Sequence, residues 1–146
     1  MSKFSSRTMT DADWAEIKHF TPAEFKHPEK MGLEFMRWLD GVRALAAVPM
    51  HITSSYRTAE YNRSVGGAAD SSHVDVPCNA VDIGKTPTPN DPNWNFARFK
   101  ILDAAIMTGC VRIGFYPNGS LHLDRTEDKR PSPRLWNAVD HKASDK

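Results

Sequence analysis

Two short stretches of the chain carry side chains able to hold a metal ion: Ser71–Ser72–His73 leading to Asp82, and Leu121–His122–Leu123–Asp124. Two neutral imidazoles and a carboxylate, from His73, Asp82 and His122, form a donor set that suits catalytic zinc, since three protein ligands leave one position for water. The working expectation is one metal ion, Zn2+, held by these three residues; on residue types and spacing alone, ordinary surface or core hydrogen bonding by His and Asp is the alternative reading. In a strand, residues two apart share a face, so His122 and Asp124 project together, and one can bind metal while the other handles a proton. Cys78 lies between the first two ligands. As a fourth ligand it would close the shell and make the zinc structural, while the alternative is a buried, inert thiol.

Caps and periodicity indicate the elements that must bring these stretches together. Thr10 or Asp11 can cap a short helix through Ile17, and Thr21–Pro22–Ala23–Glu24 has the pattern of a capping box with proline at the first helical position. Met31, Phe35, Met36, Leu39, Val42, Leu45 and Ala46 recur at helical intervals and predict the main helix from about Pro28 to Ala47. Met50–Ser54 has the β-branched alternation of a strand, Thr58 caps a helical turn to Val65, and a second strand ends at Asp82–Ile83–Gly84. Prolines 87, 89 and 92 exclude regular structure between Lys85 and Asn93. Asp91 or Asn93 can cap a helix to about Thr108, with Phe96, Phe99, Leu102, Ala105 and Ile106 as its inner face and Gly109 as its stop. Val111–Phe115 and Leu121–Leu123 predict a hairpin turning at Tyr116–Gly119, and Leu135–Trp136 a last docked helical turn.

Composition sets the wider bounds. The length of 146 residues suits one domain, read as a catalytic core over about 20–126 followed by a polar C-terminal tail. Hydrophobic content of 40% with 10 Pro and 8 Gly predicts an α+β fold, a small antiparallel sheet packed against helices. A net charge of +1 gives no bulk attraction to nucleic acid or an anionic membrane. Two cysteines make no disulfide framework; they pair once or not at all. The opening residues lack the apolar run of a signal peptide and no segment has the length of a membrane span. The expectation is a protein cytoplasmic in the producing cell, whose oligomeric state the sequence leaves open.

The motifs also occur in a definite order: Thr53–Ser54–Ser55–Tyr56–Arg57, Tyr61–Asn62, Gly66–Gly67, Ser71–Ser72–His73, Ala80–Val81–Asp82–Ile83, Ile113–Gly114–Phe115–Tyr116–Pro117–Asn118 and Leu121–His122–Leu123–Asp124. That order resembles the M15 family of zinc peptidases, the D-Ala-D-Ala carboxypeptidase and peptidoglycan endopeptidase group with a hedgehog-like fold. The resemblance implies zinc ligands at His73, Asp82 and His122, and an arginine, Arg57, that binds a peptide carboxylate or carbonyl and steadies the oxyanion. It implies hydrolysis of peptide-stem amides in bacterial peptidoglycan, by a phage-encoded enzyme released at lysis or carried with a virion. Ser71 would hydrogen-bond near the ligands and Tyr116 would line the substrate cleft or pack as a core aromatic. The stretch from His73 to Asp82 is two residues longer than the family's usual spacing, which puts Asp75 and Cys78 near the site. Gly119 stands where many members carry an acidic residue or histidine, so the base is sought at Asp124, with His51 and Asp75 as weaker candidates and a ligand-orienting role for Asp124 as the alternative. Rival readings are a non-catalytic peptidoglycan-binding module and a structural virion protein that keeps the metal for its fold.

Overall fold

Short polar side chains start two of the helices by satisfying backbone N–H groups that have no partner within the helix. The computed structural model describes Phe4 and residues 7–85 and 93–138. Thr10 accepts from the Asp13 amide while Asp13 accepts from the Thr10 amide, a capping box that opens α1 (Asp11–Glu16). Thr58 accepts from the Tyr61 amide at 3.0 Å and opens α3 (Ala59–Ser64). At Thr21, Glu24 takes the backbone N–H at 2.7 Å, and the turn that follows is a single 3-10 turn, Pro22–Glu24.

The main helix starts later than its periodicity predicts. Pro28–Lys30 forms a separate 3-10 turn, and α2 runs Leu33–Ala46. Between them Met31 and Gly32 are extended, because their backbone bonds go elsewhere: Gly32 N–H donates to the Cys78 carbonyl at 2.9 Å and Cys78 N–H to the Lys30 carbonyl at 2.8 Å. The segment that precedes α2 thus anchors the loop that leads to Asp82. Leu33, Phe35, Met36, Leu39, Val42 and Ala46 form the buried face of α2, whereas Leu45 is exposed.

Five strands follow in the order β1-β2-β4-β3-β5: β1 (His51–Ser54), β2 (Ala80–Gly84), β3 (Arg112–Phe115), β4 (Leu121–Asp124) and β5 (Arg134–Asn137). The α+β class is as expected, but the sheet is mixed, since β5 runs parallel to β3 while the other pairings are antiparallel. The segment expected to make a helical turn around Leu135–Trp136 is this fifth strand; its hydrogen-bonding partner is distant in sequence, which local pattern cannot reveal. One sheet face carries Val81, Ile83, Ile113, Leu121 and Leu123, which join α2 and Ile101 of α4 (Trp94–Met107) in a continuous core.

Helix α4 buries Trp94, Ile101, Ala104 and Ala105; of the face predicted for it, Ala105 is buried and Leu102 packs partly against the core, whereas Phe96, Phe99 and Ile106 are exposed. This helix is apolar around most of its circumference, so periodicity offers two candidate faces and packing selects one. Gly109, with φ of 101°, turns the chain out of it toward β3. Residues 86–92, including the expected cap Asp91 and all three prolines of that connection, lie outside the described residues. Among the described residues no helix is long and apolar enough to cross a membrane.

Candidate metal centre

The sheet face opposite the core holds the polar residues. Pairing places Ser54 opposite Asp82, Asp82 opposite His122, His122 opposite Gly114 and Gly114 opposite Trp136, so these five residues form one row across all five strands. The next row holds Ala80, Asp124, Arg112 and Arg134. Cross-strand neighbours on one face stand about 5 Å apart, close enough for Asp82 and His122 to share an ion. His73 reaches the same point from a 3-10 turn, Ser72–Val74, that follows α3.

His73, Asp82 and His122 come together as expected. One ligand atom from each lies within 4.8 Å of the others, and all three side chains are buried. Asp82 Oδ1 is 3.2 Å from His73 Nε2 and 3.0 Å from His122 Nδ1. Ligands of a tetrahedral site with bonds of about 2.0–2.1 Å stand about 3.3 Å apart, so this spacing suits zinc. The far nitrogen of each imidazole is also engaged. His73 Nδ1 lies 2.6 Å from the Ser55 carbonyl, and His122 Nε2 lies 2.7 Å from Asp124 Oδ2. Such outer bonds select the tautomer that offers a lone pair to a metal. The donor set and its supports fit one Zn2+ ion.

Electrostatics point the same way. Burial lowers the pKa of His73, keeping it neutral despite Asp82. Burial alone would raise the Asp82 pKa, but the charge and hydrogen bonds of the two histidines carry it well below the usual carboxylate range. Burial would likewise lower the pKa of His122, yet its hydrogen bonds to Asp124 and Asp82 outweigh this and raise it to about 9. Without a metal, His122 holds the proton that a metal must displace.

Two expected residues meet the other oxygen of the ligand carboxylate. The Arg57 guanidinium donates to Asp82 Oδ2 at 3.4 Å, to Asn62 Oδ1 at 3.1 Å and to Ser54 Oγ at 3.0 Å. Half-buried Tyr116 donates its hydroxyl to the same Asp82 oxygen at 3.1 Å. Arg57 also borders a hollow of about 380 Å³ shared with Lys26, His27, Tyr56, Thr58 and Tyr61.

Asp124 occupies a different place from that of a base acting on metal-bound water. Its Oδ1 accepts from Arg112 Nε at 2.8 Å and from the amide and hydroxyl of Thr126, and its Oδ2 meets His122 Nε2, on the ring edge turned away from Asp82. Ser72, not Ser71, reaches this group: its hydroxyl is 3.3 Å from both His122 Nε2 and Asp124 Oδ2, while Ser71 caps the turn by accepting from the His73 amide. Asp75 is engaged by Arg130 at 2.6 Å, and His51 is exposed on β1. Cys78 is buried with its sulfur facing the carbonyls of Ser72, His73 and Ala80, and burial raises its pKa to about 12, so it acts as the inert thiol. Cys78 and Cys110 are both free.

Sequence reading missed Ser72, Asn62, Arg112 and Trp136. Arg112 was accessible in principle, because the hairpin register that pairs Phe115 with Leu121 sets Arg112 beside Asp124. Trp136, with its ring centroid 5.3 Å from that of His122, was not, since it arrives on the parallel strand. A family model described as Peptidase M15 matches residues 11–124, a span that includes every candidate ligand. No curated protein and no solved structure matches.

Proposed function

This chain belongs to the M15 peptidase family, and from that premise we propose that it is a zinc-dependent peptidase hydrolysing amide bonds in the peptide stems of bacterial peptidoglycan, as a carboxypeptidase or endopeptidase. The observation that carries the reading is the convergence of His73, Asp82 and His122, with Arg57 and Tyr116 gathered on the remaining ligand oxygen. Zinc held by the three residues supplies a Lewis acid and brings the pKa of water toward neutrality.

The other tasks fall to the chain's own residues. Arg57, braced by Ser54 and Asn62, presents a fixed guanidinium to a peptide carbonyl or carboxylate and favours the negative charge that develops there. Tyr116 brings a hydroxyl that can donate to the same oxygen or pass a proton to the leaving amine. Asp124 acts through His122, fixing its tautomer and raising its basicity, while Arg112 and Thr126 hold the carboxylate in place. The phage setting, lysis or a virion, is proposed with the activity and is tested by adding the protein to intact and to outer-membrane-permeabilised bacteria.

A second reading has an observation of its own. With Asp124 fully engaged and glycine at position 119, no carboxylate beyond Asp82 and Asp124 contacts the cluster among the described residues, which favours a peptidoglycan-binding module that retains zinc. Mass spectrometry of purified peptidoglycan after incubation with the zinc-loaded protein separates the two. The peptidase reading expects new peptide termini that disappear in His122→Ala; zinc retention with wall binding and no new termini supports the module.

A further inference from the structure

Strand β5 lies wholly beyond the 11–124 span that matches the family, yet it brings Trp136 to the row that contains Asp82 and His122, and Arg134 to the adjoining row on the same face. Trp136 pairs in register with Gly114, whose own cross-strand partner is His122. A Cβ at Gly114 would come within 2.9 Å of the indole, so the glycine leaves the space through which the ring reaches the imidazole. The indole remains half-exposed there. Two residues earlier on the same face, Arg134 stacks its guanidinium 5.0 Å from the Trp136 ring centre and is exposed.

The contrast between the two arginines on this face is informative. Arg112 is buried, with its charge met by Asp124. Arg134 has no carboxylate partner among the described residues: its backbone N–H donates to the Val111 carbonyl, and its guanidinium stacks on the indole, which Arg112 also approaches at 5.1 Å. An aromatic face held beside a metal ligand, with an unmatched fork of N–H donors on its rim, suits a peptide residue that has an apolar body and a free carboxylate.

We propose that Trp136 and Arg134 of β5 form a substrate subsite beside His122 on the polar face of the sheet, in which Trp136 packs against the peptide and Arg134 selects a residue bearing a free carboxylate. This rests on the peptide-stem reading given above and adds a chemical criterion to it: among stem peptides, those with the carboxylate free bind better than those with it converted to an amide.

The test uses two stem peptides that differ only in one carboxylate, free or amidated, with the zinc-loaded wild type and the variants Arg134→Gln, Arg134→Lys and Trp136→Ala. The constant compared is KM where the peptide is cut and Kd by calorimetry where it is not. Arg134→Gln is expected to weaken the free-carboxylate peptide about tenfold, leave the amidated one and kcat within about twofold, and keep the zinc content of the wild type. Arg134→Lys should recover part of the discrimination, since it keeps the charge without the fork. Trp136→Ala should weaken both peptides alike. Equal effects of Arg134→Gln on the two peptides, or none on either, overturn the subsite. Discrimination in Kd without any hydrolysis leaves the subsite standing and removes the peptidase reading; hydrolysis without discrimination does the reverse. Failure of the wild type to bind or cut either peptide removes both.

Discussion

At the residue scale, the centre depends on charges kept in place by second partners. Asp124 lies between Arg112 and His122, all three buried, so its charge serves both sides. Asp124→Asn should lower zinc affinity about 10–100-fold by weakening the hold on His122, and destabilise the metal-free fold by about 3–5 kcal/mol by leaving Arg112 unmatched. A chelator competition series and a urea titration read the two effects separately. Tyr116→Phe is milder: it removes the hydroxyl on Asp82 Oδ2 but no ligand, so zinc content should hold while kcat falls at least tenfold, if the phenol donates in the transition state. The pKa of His122 gives a pH dependence with two opposite signs. Raised to about 9 from its unfolded value near 6.5, His122 stabilises the metal-free protein fully below about pH 6.5, and that contribution is lost as pH rises through about 9. Zinc needs the deprotonated ring, so its affinity should climb by up to about tenfold per unit over the same window. Calorimetry in buffers of different ionisation enthalpy should count close to one proton released per zinc near pH 7, because His73 is already neutral.

At the scale of elements, the sheet acts as a positioning device whose register carries the chemistry. The β2–β4 pairing sets Asp82 against His122, and a one-residue slip of either strand would turn its own residue of the pair into the apolar core. This much was legible: alternation marked the strands, the turn at Tyr116–Gly119 fixed the hairpin, and Gly119 with φ of 92° supplies its left-handed residue. Less legible were features set by distant pairing. Met31 and Gly32 look helical by period yet are drawn out by Cys78, and Trp136 enters the site on a strand whose neighbour is remote in sequence. For α4, an apolar surface on two sides left the choice of inner face to tertiary packing. Gly114 tests the link between β3 and β5. Gly114→Ala would press its methyl into the Trp136 ring, and overpacking of this kind costs about 1–3 kcal/mol. A denaturation midpoint equal to that of the wild type would mean that β5 is not held as described.

At the scale of the molecule, the fold divides its two sheet faces between stability and function. One face joins α2 and α4 in the core, and the other gathers buried polar groups that bond to one another, to backbone carbonyls and to the side chains of Tyr116, Asn62 and Thr126. The convergence of His73, Asp82 and His122 was readable from residue type and order, because few side chains meet the demands of zinc and all three sit at element boundaries or strand positions that pattern can locate. Their supporting bonds were not, since they depend on which atoms of a ring or carboxylate face inward. On the proposed reading zinc binds only the folded arrangement, so saturating zinc at 100 times its Kd should stabilise the protein by about 2.7 kcal/mol, seen as a higher Tm that a chelator reverses. The central claim is tested most directly by calorimetric titration of zinc into the metal-free protein, alongside His122→Ala and Asp82→Ala. The account predicts one site per chain in the wild type and its loss in both variants; absence of binding in the wild type, or a site that survives either substitution unchanged, would contradict it.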